Sequence, residues 1–321
     1  MIVSETVPEL SIVVPIFNTA EYLPECLNSL VAATSKIDAE VILVDDGSTD
    51  ASGEICDEYA RRYERLFKVV HKSNGGSASA RQTGWDIARG RYITVCDSDD
   101  TVDKEMYCTM LQKAADSDAD IVMCDFTFFY PDEKNKRISF GLSNPVNPDE
   151  LLKKSLASNI YNSSCNKLFR KSLFTDNKLR WISGINLGED GLMWTRILTL
   201  PDLQVVYEPK GFYNYRRRQG ENTYTNQITP DKWRQLREVH HLRKKLVPEK
   251  MLHDSASDVV FAGLRCNDIL KDELKSFIDE NIHVMSLWPT QPKRIVAAFA
   301  KVFGISITRR IVSQLYKFNY R

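Results

Sequence analysis

Short apolar runs alternate with apolar stripes of helical period through the first 125 residues of the chain. Runs rich in β-branched residues predict buried strands over residues 10–15, 40–44, 67–71, 91–96 and 120–126. Between the first four runs, apolar residues recur every three to four positions, as on the buried face of a helix. Strands that alternate with helices are typical of a parallel, doubly wound sheet. We therefore predict an α/β fold of that class.

Local signals place the ends of the predicted helices. Pro24 falls in the first turn of the first helix, where a missing backbone N–H costs little. The third helix is expected to run from Ser77 to Ala88, with Gly90 in the C′ position that favours glycine. The helix after the fourth strand is expected to begin near Val102.

Polar residues follow three of these strands at the point where each strand ends. They are Asp45 and Asp46 after the second strand, Asn74, Gly75 and Gly76 after the third, and Asp97, Asp99 and Asp100 after the fourth. Ligands of doubly wound sheets bind beyond the carboxyl ends of the strands. We expect the three groups to line one crevice.

The acids after the fourth strand place three carboxylates within four residues: Asp97, Asp99 and Asp100. Such acids repel one another unless a cation or a positive dipole lies among them. Mg²⁺ or Mn²⁺ would fit, because hard divalent ions prefer carboxylate oxygens and share their other positions with phosphates. A solvated acidic turn before a helix has the same composition. The pattern alone leaves both interpretations open.

Two common nucleotide signatures are missing from the chain. No GxGxxG follows the first strand, and no GxxxxGK[ST] occurs anywhere, so the usual dinucleotide and P-loop fingerprints are absent. An acidic crevice with a metal would still suit an activated donor whose diphosphate is chelated by the ion.

An ordered set of motifs resembles the inverting glycosyltransferases of family 2, which have the GT-A fold and build bacterial polysaccharides and cell-surface glycans. The resemblance covers residues 10–225. Its motifs are IVVPIFN at 12–18, YL at 22–23, VDDGSTD at 44–50, NGG at 74–76, ARxxG at 80–84, AxGxYI at 88–93, DSDD at 97–100 and GED at 188–190.

The resemblance implies a nucleotide-sugar donor, with UDP-sugars the usual choice. Pro15, Phe17 and Asn18 would form the floor under the base, and Asp46 would accept a hydrogen bond from it; a plain turn-forming role for Asp46 is the alternative. The other implied donor contacts are Gly75, Gly76, Arg81, Asp97, Ser98 and Asp99. Arg81 would face the diphosphate or hold the acids, unless it is an ordinary surface arginine. Asp99 and Asp100 would bind Mn²⁺ or Mg²⁺.

Asp190 matches the catalytic base of the family. An acceptor hydroxyl attacks the anomeric carbon opposite the departing nucleoside diphosphate, and a carboxylate must take its proton. Asp190 would alternatively be the N-cap of a helix, and Glu189 is the lesser candidate for the base. No covalent intermediate is required.

Three further features have two interpretations each. Lys167 and the arginines 216–218 resemble family segments and would either reach phosphates or form a solvated basic surface. Trp181 would stack on an acceptor sugar or lie in the core.

Two other functions are compatible with an acidic α/β crevice. A nucleotidyltransferase would have a Gly-rich loop with Arg or Lys after the first strand, where this chain has Pro15, Ile16, Phe17 and Asn18. A non-catalytic relative that only binds nucleotide sugars would have lost some of the acids, whereas all of them are present. We therefore favour the glycosyltransferase.

Charge and composition narrow the class of partner. Lys+Arg and Asp+Glu number 43 each, so no global field indicates nucleic acid. The seven cysteines have no CxxC spacing, which favours reduced thiols. No signal-peptide core and no apolar run of the roughly 20 residues that span a bilayer are present. We expect a cytoplasmic protein.

The last part of the chain has a different pattern. We expect a GT-A catalytic domain over 1–228, with its nucleotide-sugar half at about 8–125 and its acceptor half at 126–228, and a helical region over 229–321. Helices are predicted over 233–246, 253–270 and 292–316, the last basic and amphipathic. That helix would contact the inner face of the membrane, where a lipid-linked saccharide is the natural acceptor, or would pack within the protein or an oligomer.

Overall fold

The computed structural model describes residues 7–130, 134–217, 228–266, 268–281, 300, 304–309 and 312. The chain groups into two compact units. The first comprises Met1–Leu151, Ser163–Gly184 and Leu200–Gln219, and the second Leu152–Asn162, Ile185–Thr199 and Gly220–Arg321. The expected domain boundary at residue 228 stays a prediction.

A mixed sheet forms the core of the first unit. In the described residues its strands are β1 Leu10–Ile16, β2 Ala39–Asp45, β3 Phe67–His71, β4 Tyr92–Val95, β5 Thr101–Val102, β6 Ile121–Phe129, β7 Lys136–Ile138, β8 Lys167–Arg170 and β9 Val205–Arg216. Their order is β3-β2-β1-β4-β8-β6-β9-β5, with β7 paired to β6.

Helices alternate with these strands and continue after them. They are α1 Leu23–Thr34, α2 Ser52–Arg62, α3 Ser77–Ile87, α4 Met106–Ser117, α5 Pro148–Ala157, α6 Ser172–Asp176, α7 Glu189–Leu198, α8 Pro230–Lys244, α9 His253–Arg265 and α10 Lys271–Asn281. The first three lie between parallel strands, as the alternating pattern predicts.

The predicted parallel sheet is confirmed in its first four strands. β1 pairs in parallel with β2 and β4, and β2 pairs in parallel with β3. β8 then runs antiparallel to both β4 and β6, while β9 is parallel to β6. Because β1, β2, β3 and β4 all end at one edge, the segments that follow them are brought together there.

Pro15 lies inside β1, one residue before its end, opposite Val44 of β2. The Ile16 carbonyl accepts from the backbone N–H of Asp46, the residue that follows β2. The backbone nitrogen of Pro15 therefore faces the opposite side of the strand, towards β4. The pairing with β4 stops before Pro15, because Val95, the last paired residue of β4, lies opposite Val13. The missing N–H of proline therefore removes no ladder bond.

Gly90 does not occupy the C′ position. Helix α3 ends at Ile87, with Ala88 as an extended C-cap, so Gly90 lies two residues further on. Its N–H donates to Ser11 Oγ at 2.7 Å. A Cβ at this position would lie 2.4 Å from the Ser11 backbone nitrogen, so glycine is needed for close approach to β1.

The helix expected near Val102 begins later, at Met106. Thr101 and Val102 instead form β5, which pairs antiparallel with β9 opposite Asn214 and Tyr213. A two-residue strand leaves no periodicity in the sequence, and only its pairing with a strand more than 100 residues away identifies it.

Most of the described residues of the second unit are helical. The helix predicted over 233–246 is present as α8, and the one predicted over 253–270 is shorter, since α9 ends at Arg265. Trp233 is fully buried, with its Nε1 donating to the Val259 carbonyl at 3.0 Å. The helix predicted over 292–316 falls largely outside the described residues. No described helix is both long enough and apolar enough to cross a bilayer.

We expect Gly90→Ala to lower the free energy of unfolding by about 2 kcal/mol or more, because the new methyl group meets backbone atoms that cannot move aside. Urea unfolding followed by circular dichroism measures the change. Glu58→Ala on the exposed face of α2 is the matched control and should stay within about 0.5 kcal/mol of the wild type. Equal stability of the two variants would contradict the packing explanation.

Candidate active site

The loops after β1 and β2 hold one another at the carboxyl edge of the sheet. Asn18 has a φ of 51°, and its side-chain oxygen accepts from the Thr49 N–H at 2.8 Å. The Asn18 N–H donates to Ser48 Oγ at 3.1 Å. Phe17, the residue before Asn18, is 48 % exposed. The structure thus brings Asn18, one of the predicted base-binding residues, to the loop that contains Asp46.

Asp46 is buried and held by donors that follow β3. Its Oδ1 accepts from Lys72 Nζ at 2.5 Å and from the Gly75 N–H at 3.0 Å. Its Oδ2 accepts from the Gly76 N–H at 2.7 Å. Gly76 has a φ of 83°, which requires glycine. Asp46 is therefore more than a turn-former, because its carboxylate ties two loops of the crevice together.

Lys72 is a site residue that sequence reasoning missed. It follows β3 directly, and its side chain is 20 % exposed. The signal in the sequence is a lysine directly after a predicted parallel strand and shortly before two glycines. A lysine at this place faces the acid that follows the neighbouring strand.

Asp45 points away from Asp46 into a separate network. Burial alone would raise the pKa of Asp45, but hydrogen bonds from Ser48 and His71 lower it on balance. His71 Nδ1 lies 2.8 Å from Asp45 Oδ2, and its Nε2 lies 3.1 Å from Asp57 Oδ1. Both contacts raise the pKa of His71. Asp45 thus fixes the β2–β3 corner.

Residues 97–100, here called the acid loop, follow β4. Asp97 accepts from Arg81 Nη2 at 3.1 Å, and its side chain is 29 % exposed. Ser98 accepts at Oγ from the Thr19 hydroxyl at 3.0 Å, which joins the acid loop to the segment after β1. Asp99 is partly exposed. The structure therefore places all three of these residues at the edge where Asn18 and Asp46 lie.

Asp100 is turned inward, with 2 % of its surface exposed. Its Oδ2 accepts from the Tyr213 hydroxyl at 2.6 Å and its Oδ1 from the Arg216 N–H at 2.7 Å. Burial, together with the charges of Asp99 and Asp97, raises its pKa well above the usual value. The metal-ligand role predicted for Asp100 stays a prediction, and its oxygens are held by β9.

Arg81 is buried, so it is not an ordinary surface arginine. Only 4 % of it is exposed, and its guanidinium lies over the Trp181 ring at 5.2 Å while it pairs with Asp97. Trp181 is itself buried against Trp85, with ring centroids 5.8 Å apart. The core interpretation of Trp181 is correct, and the ring orients Arg81.

Lys167 matches neither of its two expected roles. It is 1 % exposed, and its ammonium group donates to Asn166 Oδ1 at 3.0 Å and to the Ser163 carbonyl. A buried lysine held by protein acceptors neither reaches a phosphate nor forms a solvated surface.

Asp190 belongs to the second unit and lies in the first turn of α7. Gly188, with a φ of 85°, is the N-cap, so the N-cap interpretation of Asp190 is wrong. A carboxylate in the first turn is favoured in its ionised form by the helix dipole. Gly191 follows, where a Cβ would lie 2.4 Å from Arg243 Nη2, so glycine allows this turn to pack closely on α8.

The oxygen atoms at this edge fit a hard divalent ion that is shared with a diphosphate. In the part of the chain that the structure describes, no three His, Cys, Asp or Glu side chains are grouped to hold a metal. Asp97 and Asp99 supply carboxylates, and Mg²⁺ or Mn²⁺ usually takes only one or two from the protein, with phosphate and water in its other positions.

Comparison with known proteins gives consistent matches. The family model described as glycosyl transferase family 2 matches residues 11–177. The glycosyltransferase GlyG of Streptococcus pneumoniae is 34 % identical over 223 residues, which are 66 % of this chain and 71 % of that protein. EpsJ of Bacillus subtilis, an uncharacterized glycosyltransferase, is 44 % identical over 120 residues, 37 % of this chain and 34 % of EpsJ.

Solved structures share the fold. The S. aureus TarS 1-349 complex with UDP-GlcNAc has a TM-score of 0.69 at 21 % identity, covering 98 % of this chain and 93 % of that one. The mannosyltransferase PcManGT of Pyrobaculum calidifontis, in complex with GDP-Man and Mn²⁺, has a TM-score of 0.53 at 16 % identity, covering 95 % and 88 %. These neighbours bear out the predicted GT-A fold.

We expect His71→Gln to change how stability depends on pH. A raised pKa means that the His71 contacts stabilise the folded protein below pH 6.5 and that this contribution is lost as the pH rises through the folded-state pKa. Thermal unfolding at a series of pH values above 6.5 should show this loss in the wild type and not in the variant. His241→Gln, at an exposed position of α8, is the control and should behave as the wild type. A loss of equal size in His71→Gln would contradict the assignment.

Proposed function

Because this chain belongs to glycosyl transferase family 2, we propose that it transfers a sugar from a UDP-sugar to a hydroxyl group of a bacterial glycan, with inversion at the anomeric carbon. The observation that carries the proposal is the meeting of Asn18, Asp46, Asp97 and Asp99 at one edge of the sheet. The TarS complexes with UDP-GlcNAc and UDP support a uridine nucleotide.

Asp46 is proposed to recognise the base. Lys72, Gly75 and Gly76 donate to its carboxylate, so the group acts as a hydrogen-bond acceptor at this position. The Gly75 N–H is shared between Oδ1, at 3.0 Å, and Oδ2, at 3.2 Å. Three donors thus use the roughly four acceptor positions of the carboxylate, and the donor from the base would take one of the two positions that the Gly75 N–H shares. Uracil presents a ring N–H there, with Pro15, Phe17 and Asn18 as the floor beneath it.

Asp99 is the carboxylate that would hold Mn²⁺ or Mg²⁺. When bound, the ion would neutralise charge that develops on the departing diphosphate. Arg81 pairs with Asp97 and keeps a second carboxylate oriented beside Asp99. Ser98 ties this pair to Thr19, and the loop is thereby oriented before the donor binds.

Asp190 is proposed to take the proton of the acceptor hydroxyl. The new glycosidic bond forms on one face of the anomeric carbon while the bond to the diphosphate breaks on the other, which inverts the configuration. Its position in the first turn of α7 favours an ionised carboxylate that can accept the proton.

The acceptor is proposed to be a surface glycan or a lipid-linked saccharide on the cytoplasmic side. Relatives include a poly(ribitol-phosphate) β-glucosyltransferase of Bacillus spizizenii, which is 28 % identical over 225 residues, 70 % of this chain and 34 % of that protein. After Glu280 the sequence has basic residues and no acidic ones, which suits contact with an anionic membrane. Loss of liposome binding on deletion of residues 292–321 would support that contact, and unchanged binding would contradict it.

We expect Asp190→Asn to lower kcat by about a thousandfold, because general-base catalysis contributes factors of roughly 10² to 10⁴. UDP affinity in Mn²⁺ should stay unchanged. Turnover of the best donor and calorimetric binding of UDP measure the two quantities. Glu189→Gln is the neighbouring control and should keep most of the activity. Wild-type turnover by Asp190→Asn would overturn the base assignment.

Nucleotide recognition is tested by thermal shift with UDP, GDP, CDP and ADP, in Mn²⁺ and in EDTA. The wild type should be stabilised most by UDP with Mn²⁺. Asp46→Asn should lose the preference for UDP, and Asp99→Asn should lose the effect of Mn²⁺. Asp116→Asn, at an exposed position of α4 where the carboxylate accepts from Gln112 of the same helix, should match the wild type. No shift with any of the four nucleotides would contradict the proposed function.

A further inference from the structure

The Tyr213 side chain of β9 joins the two ends of the acid loop. Its hydroxyl donates to Asp100 Oδ2 at 2.6 Å and accepts from the Asp97 N–H at 3.2 Å. Tyr213 is 1 % exposed, so water does not replace either contact freely. This hydroxyl group therefore links the first and last residues of the loop, which are also joined by the Asp100 N–H that donates to the Asp97 carbonyl at 3.1 Å.

Arg216, three residues further along β9, holds the same loop at two other points. Its backbone N–H donates to Asp100 Oδ1 at 2.7 Å, and its Nε donates to the Asp99 carbonyl at 2.9 Å. The Asp99 backbone is thus held by a side chain while its carboxylate stays partly exposed.

The guanidinium group of Arg216 is itself fixed. It pairs with Glu25 at 2.5 Å and lies over the rings of Tyr22, at 5.3 Å, and Phe129, at 5.0 Å. These contacts come from α1, the segment before it and β6. An arginine held on this many sides is oriented towards the loop before any ligand binds.

The backbone after the loop is anchored on the same strand. Thr101 and Val102 form β5 and pair with Asn214 and Tyr213 of β9. The acid loop therefore starts from β4, which is part of the parallel sheet, and ends on β9. Asp100 is the point at which side-chain and backbone contacts to β9 converge.

We propose that Tyr213 and Arg216 are positioning residues, which act through the buried Asp100 carboxyl and the loop backbone to hold Asp97 and Asp99 in the geometry that receives a metal-bound diphosphate. This inference rests on the proposed function. In it, Asp100 anchors the loop and does not bind the ion, because it is only 2 % exposed and each of its oxygens accepts from β9.

Tyr213→Phe removes one hydroxyl group and keeps the ring. We expect the dissociation constant of UDP in Mn²⁺ to rise about tenfold, as for loss of one buried hydrogen bond. The Mn²⁺ concentration at half-maximal UDP binding should rise with it. UDP binding in EDTA should stay at the wild-type value, because the contacts of Asp46 are untouched. A general loss of stability would not produce this selective change.

Tyr92→Phe is the matched control. It also removes a buried tyrosine hydroxyl, one that donates to the Ala119 carbonyl at 2.7 Å, away from the acid loop. It should bind UDP with the wild-type dependence on Mn²⁺. Arg216→Lys keeps a positive charge for Glu25 but loses the Nε donor, so it should resemble Tyr213→Phe. Equal Mn²⁺ dependence of Tyr213→Phe and Tyr92→Phe would overturn the proposal.

A double variant distinguishes an anchoring role of Asp100 from direct binding of the ion by Asp100. If Asp100 acts through Tyr213, Asp100→Asn combined with Tyr213→Phe should weaken binding no more than the larger single change. If Asp100 bound the ion directly, Asp100→Asn would abolish the Mn²⁺ dependence while Tyr213→Phe would leave it intact. That second result would overturn the anchor role.

Hydrogen exchange tests the loop without any nucleotide. The peptide that contains the Asp97 amide should exchange at least tenfold faster in Tyr213→Phe than in the wild type or Tyr92→Phe, since that amide loses its acceptor. If the wild type failed to bind UDP, the proposed function would fall, whereas unchanged exchange in Tyr213→Phe would refute the positioning role by itself.

Discussion

Carboxylates gathered at one edge of a sheet must each be given a partner, and the rest of this site depends on how that is done. Asp46 is paired with Lys72, Asp97 with Arg81, and Asp100 with Tyr213 and the Arg216 backbone. Each partner comes from a different element: the end of β3, helix α3 and strand β9. The acids therefore connect different elements of the fold and are also candidate ligand contacts.

The acids at this edge differ in how much of each side chain is exposed to a ligand. Asp100 is 2 % exposed and fully engaged by β9, whereas Asp99 is partly exposed at the same loop. Asp97 lies between these cases, since it is paired with Arg81 but its side chain is 29 % exposed. Adjacent residues of one type thus differ in role because their neighbours differ, and a run of acids in the sequence does not show that difference.

Much of the fold up to about residue 125 was predictable because its signals are local. The strands of the parallel sheet are apolar runs, and the polar residues that follow them identify the edge. Lys72, Tyr213 and Arg216 were missed as partners because their contacts join residues 26 to 117 positions apart. Long-range contacts also explain why β5 and the close approach of Gly90 to β1 were not predicted. The inward orientation of Asp100 likewise depends on β9 rather than on its own segment.

The central claim is that this edge binds a nucleoside diphosphate through Asp46 at the base and Asp99 at the metal. A crystal structure of the protein with UDP and Mn²⁺ tests it most directly. We predict the uracil ring N–H within hydrogen-bond distance of Asp46, and one Mn²⁺ bonded to both an Asp99 carboxylate oxygen and the diphosphate. A nucleotide bound elsewhere, or Mn²⁺ bound without contact to the acid loop, would contradict the account.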